Sequence, residues 1–140
     1  MIYRATEDGG TKNILFQKCK NCPNLLWIMK DKTKNIFGCF NSLPIYKTNQ
    51  YSKDIKCFLF SVSRKKKYSP NLGTQYNIYN CSDHVIEFGD SGVYELAVGE
   101  KFLINDSVSF SNGKIFNHQN EINNNNITVS LSELEVFRVI

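Results

Sequence analysis

The first residues in this 140-residue chain that could do chemistry are two cysteines in the string Cys19-Lys20-Asn21-Cys22. A Cys-x-x-Cys pair lowers a thiol pKa when a helix N-terminus stabilises the thiolate, and it can also form half of a tetrahedral zinc site. Here the pair falls at the end of a helical pattern, the pole that disfavours an anion, and no second Cys or His pair completes a metal site. Helix packing therefore explains these thiols better than redox or metal use, and no cofactor is expected. His84 and His118 are the two candidate general bases. Neither stands in metal or triad spacing, so each reads as a surface histidine.

Gly89-Asp90-Ser91-Gly92 has the form of a turn that presents a nucleophilic serine beside an oxyanion-hole amide. The protease that uses this turn needs a further glycine where this chain has Val93, a histidine in its own motif, and twin barrels that 140 residues cannot build. An ordinary tight turn between strands is the better reading. Arg64-Lys65-Lys66-Lys67 could grip phosphates. No glycine-rich phosphate loop or aromatic RNA-binding signature accompanies it, so it reads as a basic surface loop protecting a sheet edge.

The elements that would position these residues follow from composition and spacing. A chain of this length accommodates one domain, residues 1–140, and its 41% hydrophobic and 13% aromatic content can supply a core without staples. The formal charge of +4 is too small to define a nucleic-acid binder, and none is expected as a partner. The longest apolar run, Leu25 to Met29, is far too short to span a bilayer. Five cysteines without an export signal imply reduced thiols and a cytoplasmic location.

After a short apolar start at Ile2 to Arg4 and a turn at Glu7-Asp8-Gly9-Gly10, Thr11 is a plausible N-cap. Ile14, Leu15, Cys19 and Cys22 then share one helical face, ended by Pro23. Leu25-Leu26-Trp27-Ile28-Met29 and Ile36-Phe37-Gly38-Cys39-Phe40 read as a β-hairpin turned by Asp31-Lys32-Thr33-Lys34. Neither run alternates cleanly, which predicts that both faces of the pair are covered. Residues 41–54 read as a surface loop, and 57–62 as a buried strand. Further short strands are expected at 75–79, 85–88, 93–98, 102–104 and 108–110, the spacing of a sandwich. Asn123 to Asn126 reads as a loop tip, and Leu134 to Ile140 as a buried terminal strand.

In order along the chain, several segments resemble the TLDc domain, shared by oxidation-resistance proteins and some Rab-GTPase-activating proteins. The opening Ile2-Tyr3-Arg4-Ala5-Thr6-Glu7-Asp8-Gly9 is similar to the family's Leu-Tyr-x-x-x-x-Asp-Gly, and Leu15-Phe16-Gln17-Lys18-Cys19 to its cysteine-ended helix. The hairpin resembles the family's hairpin. Ser42-Leu43-Pro44-Ile45-Tyr46 resembles its Ser-x-Pro-Trp turn, Cys57-Phe58-Leu59-Phe60-Ser61-Val62 its Cys-Phe-Leu-Phe-Ser-Leu strand, and Leu134-Glu135-Val136-Phe137 its Leu-Glu-Val-Trp. The resemblance is strongest in the first half. In the second, the usual Leu-Trp-Leu-Asp is Leu96-Ala97-Val98-Gly99.

The resemblance implies an α+β fold, a two-sheet antiparallel β-sandwich with short flanking helices. It also implies a non-catalytic protein-interaction module linked to oxidative-stress protection, with vacuolar proton ATPase subunits as partners. Pro44, Tyr46, Gly89, Asp90 and Gly92 are then the expected partner-binding residues, and a monomer is expected. The alternative from another class is a thiol antioxidant enzyme using Cys19 and Cys22.

Overall fold

A computed structural model of the chain describes residues 1–45, 49–73, 76–80, 84–90 and 93–140, with backbone alone at 90 and 93. In chain order its elements are β1 (Tyr3–Arg4), α1 (Ala5–Asp8), α2 (Lys12–Cys19), β2 (Leu25–Asp31), β3 (Ile36–Asn41), β4 (Gln50–Ser52) and β5 (Phe58–Ser61). There follow β6 (Lys66–Tyr68), β7 (Ile78–Asn80), β8 (His84–Asp90), β9 (Val93–Gly99), β10 (Val108–Phe110), β11 (Thr128–Val129) and β12 (Leu131–Arg138). The described residues make two six-stranded antiparallel sheets, ordered β1-β12-β2-β3-β5-β6 and β11-β10-β9-β8-β7-β4, with two short helices. This is an α+β sandwich, in agreement with the sandwich that the strand spacing suggests.

The β2–β3 hairpin forms as its turn chemistry requires. The Asp31 carboxylate accepts bonds from the Thr33 amide at 2.8 Å, the Thr33 hydroxyl at 2.6 Å and the Asn35 amide at 3.0 Å, an Asx-type closure. Leu25, Trp27 and Met29 on β2 and Phe37 and Cys39 on β3 are fully buried. β12 joins the other side of β2, with Val136 opposite Trp27 and Leu134 opposite Met29. The terminal strand is thus interior to its sheet. Phe37 meets Phe110 of the second sheet edge-on at 5.5 Å, and Tyr3 meets Phe102 at 6.2 Å, so aromatic pairs close the core between the layers.

At Gly38 a Cβ would stand 1.9 Å from the Trp27 carbonyl oxygen and 2.5 Å from the Phe60 ring. Phe60 lies opposite Gly38 in the register and lays its ring over the bare backbone. Glycine is the one residue that admits this cross-strand contact.

Several expectations are corrected. The opening turn contains a helix, α1, and α2 ends at Cys19, so Cys22 lies beyond it. Thr11 is the N-cap, but its side chain makes no cap hydrogen bond. Residues 102–104 form turns and not a strand. The loop over 41–54 contains β4, and the basic run is half strand, since Lys66 and Lys67 belong to β6. In the asparagine run Asn124, Asn125 and Asn126 are exposed, as a loop tip requires, and only Asn123 is buried, at 1% exposure. Val139 and Ile140 extend past β12 into solvent. The hairpin is buried on its inner face, but Leu26, Ile28, Ile36 and Phe40 on the other face are only half-buried. The strand expected at 75–79 is β7, Ile78–Asn80, and residue 75 lies outside the described residues.

Candidate functional site

The thiols are placed for packing. Cys19 has no exposure, and burial pushes its pKa up to about 12, with Cys22 nearby adding to the rise. Cys39 and Cys57 are buried too. Burial raises both pKa values, Cys39 well above the ordinary thiol range with Cys57 adding to it, and Cys57 with Asp54 adding to it. Cys22 is half-buried, and its thiol donates to the Lys20 carbonyl at 3.6 Å. A neutral thiol is a poor nucleophile and a poor metal ligand, so this environment opposes redox use of Cys19. Among the described residues no group of three or more His, Cys, Asp or Glu could hold a metal. Cys81 lies outside the described residues.

His118 is fully buried, which corrects its reading as a surface residue. Its Nε2–H donates to the Glu95 carbonyl at 3.0 Å, and its Nδ1 accepts the Asn120 amide at 3.0 Å. Both ring nitrogens are committed to backbone partners, so this ring ties down a loop. Half-buried His84 donates from Nδ1 to Glu87 Oε1 at 2.6 Å, with the Tyr94 ring 5.9 Å away.

The partner-binding residues expected from resemblance separate into two places. Gly89 sits at a bulge in β8 with φ +150°, a conformation open to glycine, and its amide donates to the Asn77 carbonyl at 2.9 Å. Asp90 pairs with Val93 at the end of the β8–β9 hairpin. Ser91 and Gly92 lie outside the described residues, as does Tyr46. Pro44 lies in the connection after β3.

Asp54, which the motifs did not single out, organises that connection. It is 1% exposed, and its carboxylate accepts the Ser42 amide and hydroxyl, both at 2.6 Å, the Leu43 amide at 3.1 Å and the Lys56 amide at 3.0 Å. The Asn77 side chain pairs with the Asp54 backbone in both directions, at 2.9 and 3.0 Å. Held this way, Leu43 and Ile55 stand 39% and 64% exposed on either side of the carboxylate. Glu95, also 1% exposed, does the same elsewhere. It accepts the amides of Ile115, Phe116 and Asn117 at 3.0 to 3.1 Å, and a Cβ on Gly113 would stand 2.6 Å from its side chain.

The basic run is partly consumed inside the molecule. Arg64 donates to the Glu121 carbonyl at 2.9 Å and the Asn124 side chain at 3.2 Å, and Lys66 pairs with the Glu121 carboxylate at 2.9 Å. Tyr68 donates to the same carboxylate at 2.7 Å. The Lys66 and Tyr68 bonds hold the Glu121 pKa below its ordinary range. Lys67 lies over the Phe58 ring at 4.3 Å, and Lys65 occupies a left-handed turn position with φ +54°. A surface cleft of about 240 Å³ lies elsewhere, lined in part by Lys32, Thr33, Asp106, Thr128 and Ser130. It contains none of the expected site residues.

The two antiparallel sheets with short helices match what the resemblance implies, and a TLDc domain family model matches residues 1–140. The chain belongs to the TLDc domain family. A search of curated proteins finds no match to it. Read as a TLDc domain, the molecule uses Asp54 and Glu95 to hold loops and Cys19, Cys39, Cys57 and His118 as interior parts. No described helix is long and apolar enough to cross a membrane.

Proposed function

We propose that this TLDc domain is a non-catalytic protein-interaction module, acting in oxidative-stress protection by engaging subunits of the vacuolar proton ATPase. The observation that carries the reading is the loop clamped by Asp54. A fully committed carboxylate holds a rigid turn from which Leu43 and Ile55 project into water beside Pro44. Exposed apolar side chains on an ordered loop suit recognition with little ordering cost. Pro44 and Tyr46 on this loop, and Gly89, Asp90 and Gly92 on the β8–β9 hairpin, are the proposed contact residues. The same proposal puts the module in the cytoplasm, where the free thiols of Cys19, Cys22, Cys39 and Cys57 would remain reduced.

The test is affinity capture from a detergent extract of acidic organelle membranes, probed for ATPase subunits. The parent chain should retain them, and Leu43→Asp combined with Ile55→Asp should lose them while the fold is unchanged. Failure of the parent chain to retain any ATPase subunit removes the partner assignment. Peroxide turnover abolished by Cys19→Ser and Cys22→Ser together would instead establish the thiol-enzyme alternative, against which the raised Cys19 pKa stands.

A further inference from the structure

The outer face of the β1-β12-β2-β3-β5-β6 sheet carries Leu26, Ile28, Ile36, Phe40, Phe58, Phe60 and Phe137, all half-buried. In an antiparallel sheet with one wet face these alternate positions are normally polar. The register arranges them in rows. One row runs Phe137, Leu26, Phe40, Phe58, and the next runs Glu135, Ile28, Gly38, Phe60, Lys67. Glu133 begins a third row with Lys30 and Ile36.

Charge divides across this face. The β12 side carries Glu133 and Glu135, and the β6 side carries Lys67 with Lys65 at the turn before it. Glu133 bonds the Thr6 amide and hydroxyl, and Glu135 pairs with Arg4 at 2.6 Å, with Glu7 on the other side of the same guanidinium. The group of Arg4, Glu7, Lys30, Glu133 and Glu135, with Lys30 opposite Glu133, has two cations against three carboxylates and is net acidic. On the opposite side Lys67 lies over Phe58, and Lys65 is exposed.

We propose that this face docks a second copy of the chain, sheet on sheet, about a two-fold axis running along β3. That rotation keeps each row and exchanges strands across β3, so β2 faces the second copy's β5 and β12 faces its β6. Leu26 then meets Phe58, Ile28 meets Phe60, and Phe40 and Ile36 meet their own copies. The same operation sets Lys67 against Glu135 and Lys65 against Glu133, twice each, as an isologous contact requires. Gly38 falls on the axis beneath the Phe60 ring, so it is that ring, and not the bare strand, that the second copy meets there. A rotation about an axis across the strands would instead set Lys67 against Lys67. The face spans roughly 20 Å by 20 Å, on the order of 1,000 Å² over both copies with side-chain relief, the lower end for a specific interface. A weak, concentration-dependent dimer is the consequence.

Sedimentation velocity of the full chain from about 5 µM to about 500 µM tests this, because a weak dimer's mass should rise from one chain toward two over that range. Phe58→Glu should weaken association at least about tenfold. The paired variants Lys65→Glu with Lys67→Glu, and Glu133→Lys with Glu135→Lys, should each remain monomeric alone and associate one-to-one when mixed. Far-ultraviolet circular dichroism and Trp27 fluorescence verify that each variant is folded. A parent chain that stays monomeric throughout overturns the proposal. So does a folded mixture that fails to associate, or self-association untouched by Phe58→Glu.

Discussion

Replacing Asp54 by alanine removes a carboxylate that accepts four hydrogen bonds, three from amides and one from the Ser42 hydroxyl. Each bond to a charged acceptor is worth about 1.5–3 kcal/mol, so four such bonds in a dry site would amount to roughly 6 kcal/mol or more. The site is not dry on every side. Leu43 and Lys56 are exposed, and water can take over their amides once the carboxylate is gone, whereas the Ser42 pair is half-buried. The net loss is therefore about 3 kcal/mol. A domain of this size holds on the order of 7–15 kcal/mol, so the variant remains folded at room temperature. At about 3–4 °C per kcal/mol its melting temperature should fall by roughly 10 °C. Trp27 is the reporter: it is the sole tryptophan, it is fully buried, and its Nε1–H donates to Asn41 Oδ1 at 2.6 Å at the entry to the clamped loop. Thermal and urea unfolding followed by its fluorescence measure the loss directly. Asp54→Asn should fall between the two, since an amide keeps one acceptor but turns an NH₂ group toward donors. A melting temperature for Asp54→Ala within about 2 °C of the parent would refute the argument that this carboxylate organises the loop.

Gly38→Ala should destabilise the sheet by about 4 kcal/mol or more, because the new methyl meets a backbone oxygen that cannot withdraw; a chain with near-parental urea stability contradicts this. Alkylation of the native protein followed by peptide mapping should label half-buried Cys22 before Cys19, Cys39 and Cys57, which are buried with raised pKa values; equal rates would mean the packing is wrong. The Glu121 pKa is lowered in the fold, so its stabilisation is present above the ordinary glutamate pKa of about 4.3 and is lost as pH falls through the lower folded value. Glu121→Gln should therefore flatten the acid limb of the stability profile below about pH 4.3 and leave its shape at neutral pH unchanged, measured by urea midpoints against pH.

Much of the scaffold was legible because its signals are local. Asp31 within five residues of Asn35, the glycine and branched residues of the hairpin, and the apolar strand Phe58–Ser61, shorter than the expected 57–62 with Val62 exposed, each constrain the backbone through near neighbours. The same holds for α2, whose buried Leu15 and Cys19 lie on the face that their spacing selects. Where tertiary contacts outweigh local pattern, the reading failed. Residues 102–104 look like a strand by composition. They turn instead, because Phe102 is needed against Tyr3 and its amide is bonded to Gly10. The histidine taken for a surface group is interior because Glu95 and Asn120 satisfy both of its nitrogens.

Strand spacing and turn chemistry, which act over a few residues, were enough to suggest a sandwich, and the order of the motifs, through their resemblance to the TLDc family, implied its two antiparallel sheets and short helices. They could not reveal that Asp54 and Glu95 are the fastening points of the loops, since their partners come from residues up to 23 positions away, brought together by sheet register. Nor could they show that the apolar outer face of the hairpin is only half-buried. An apolar run reads the same whether water or protein lies against it, and only the arrangement of the other strands settles which.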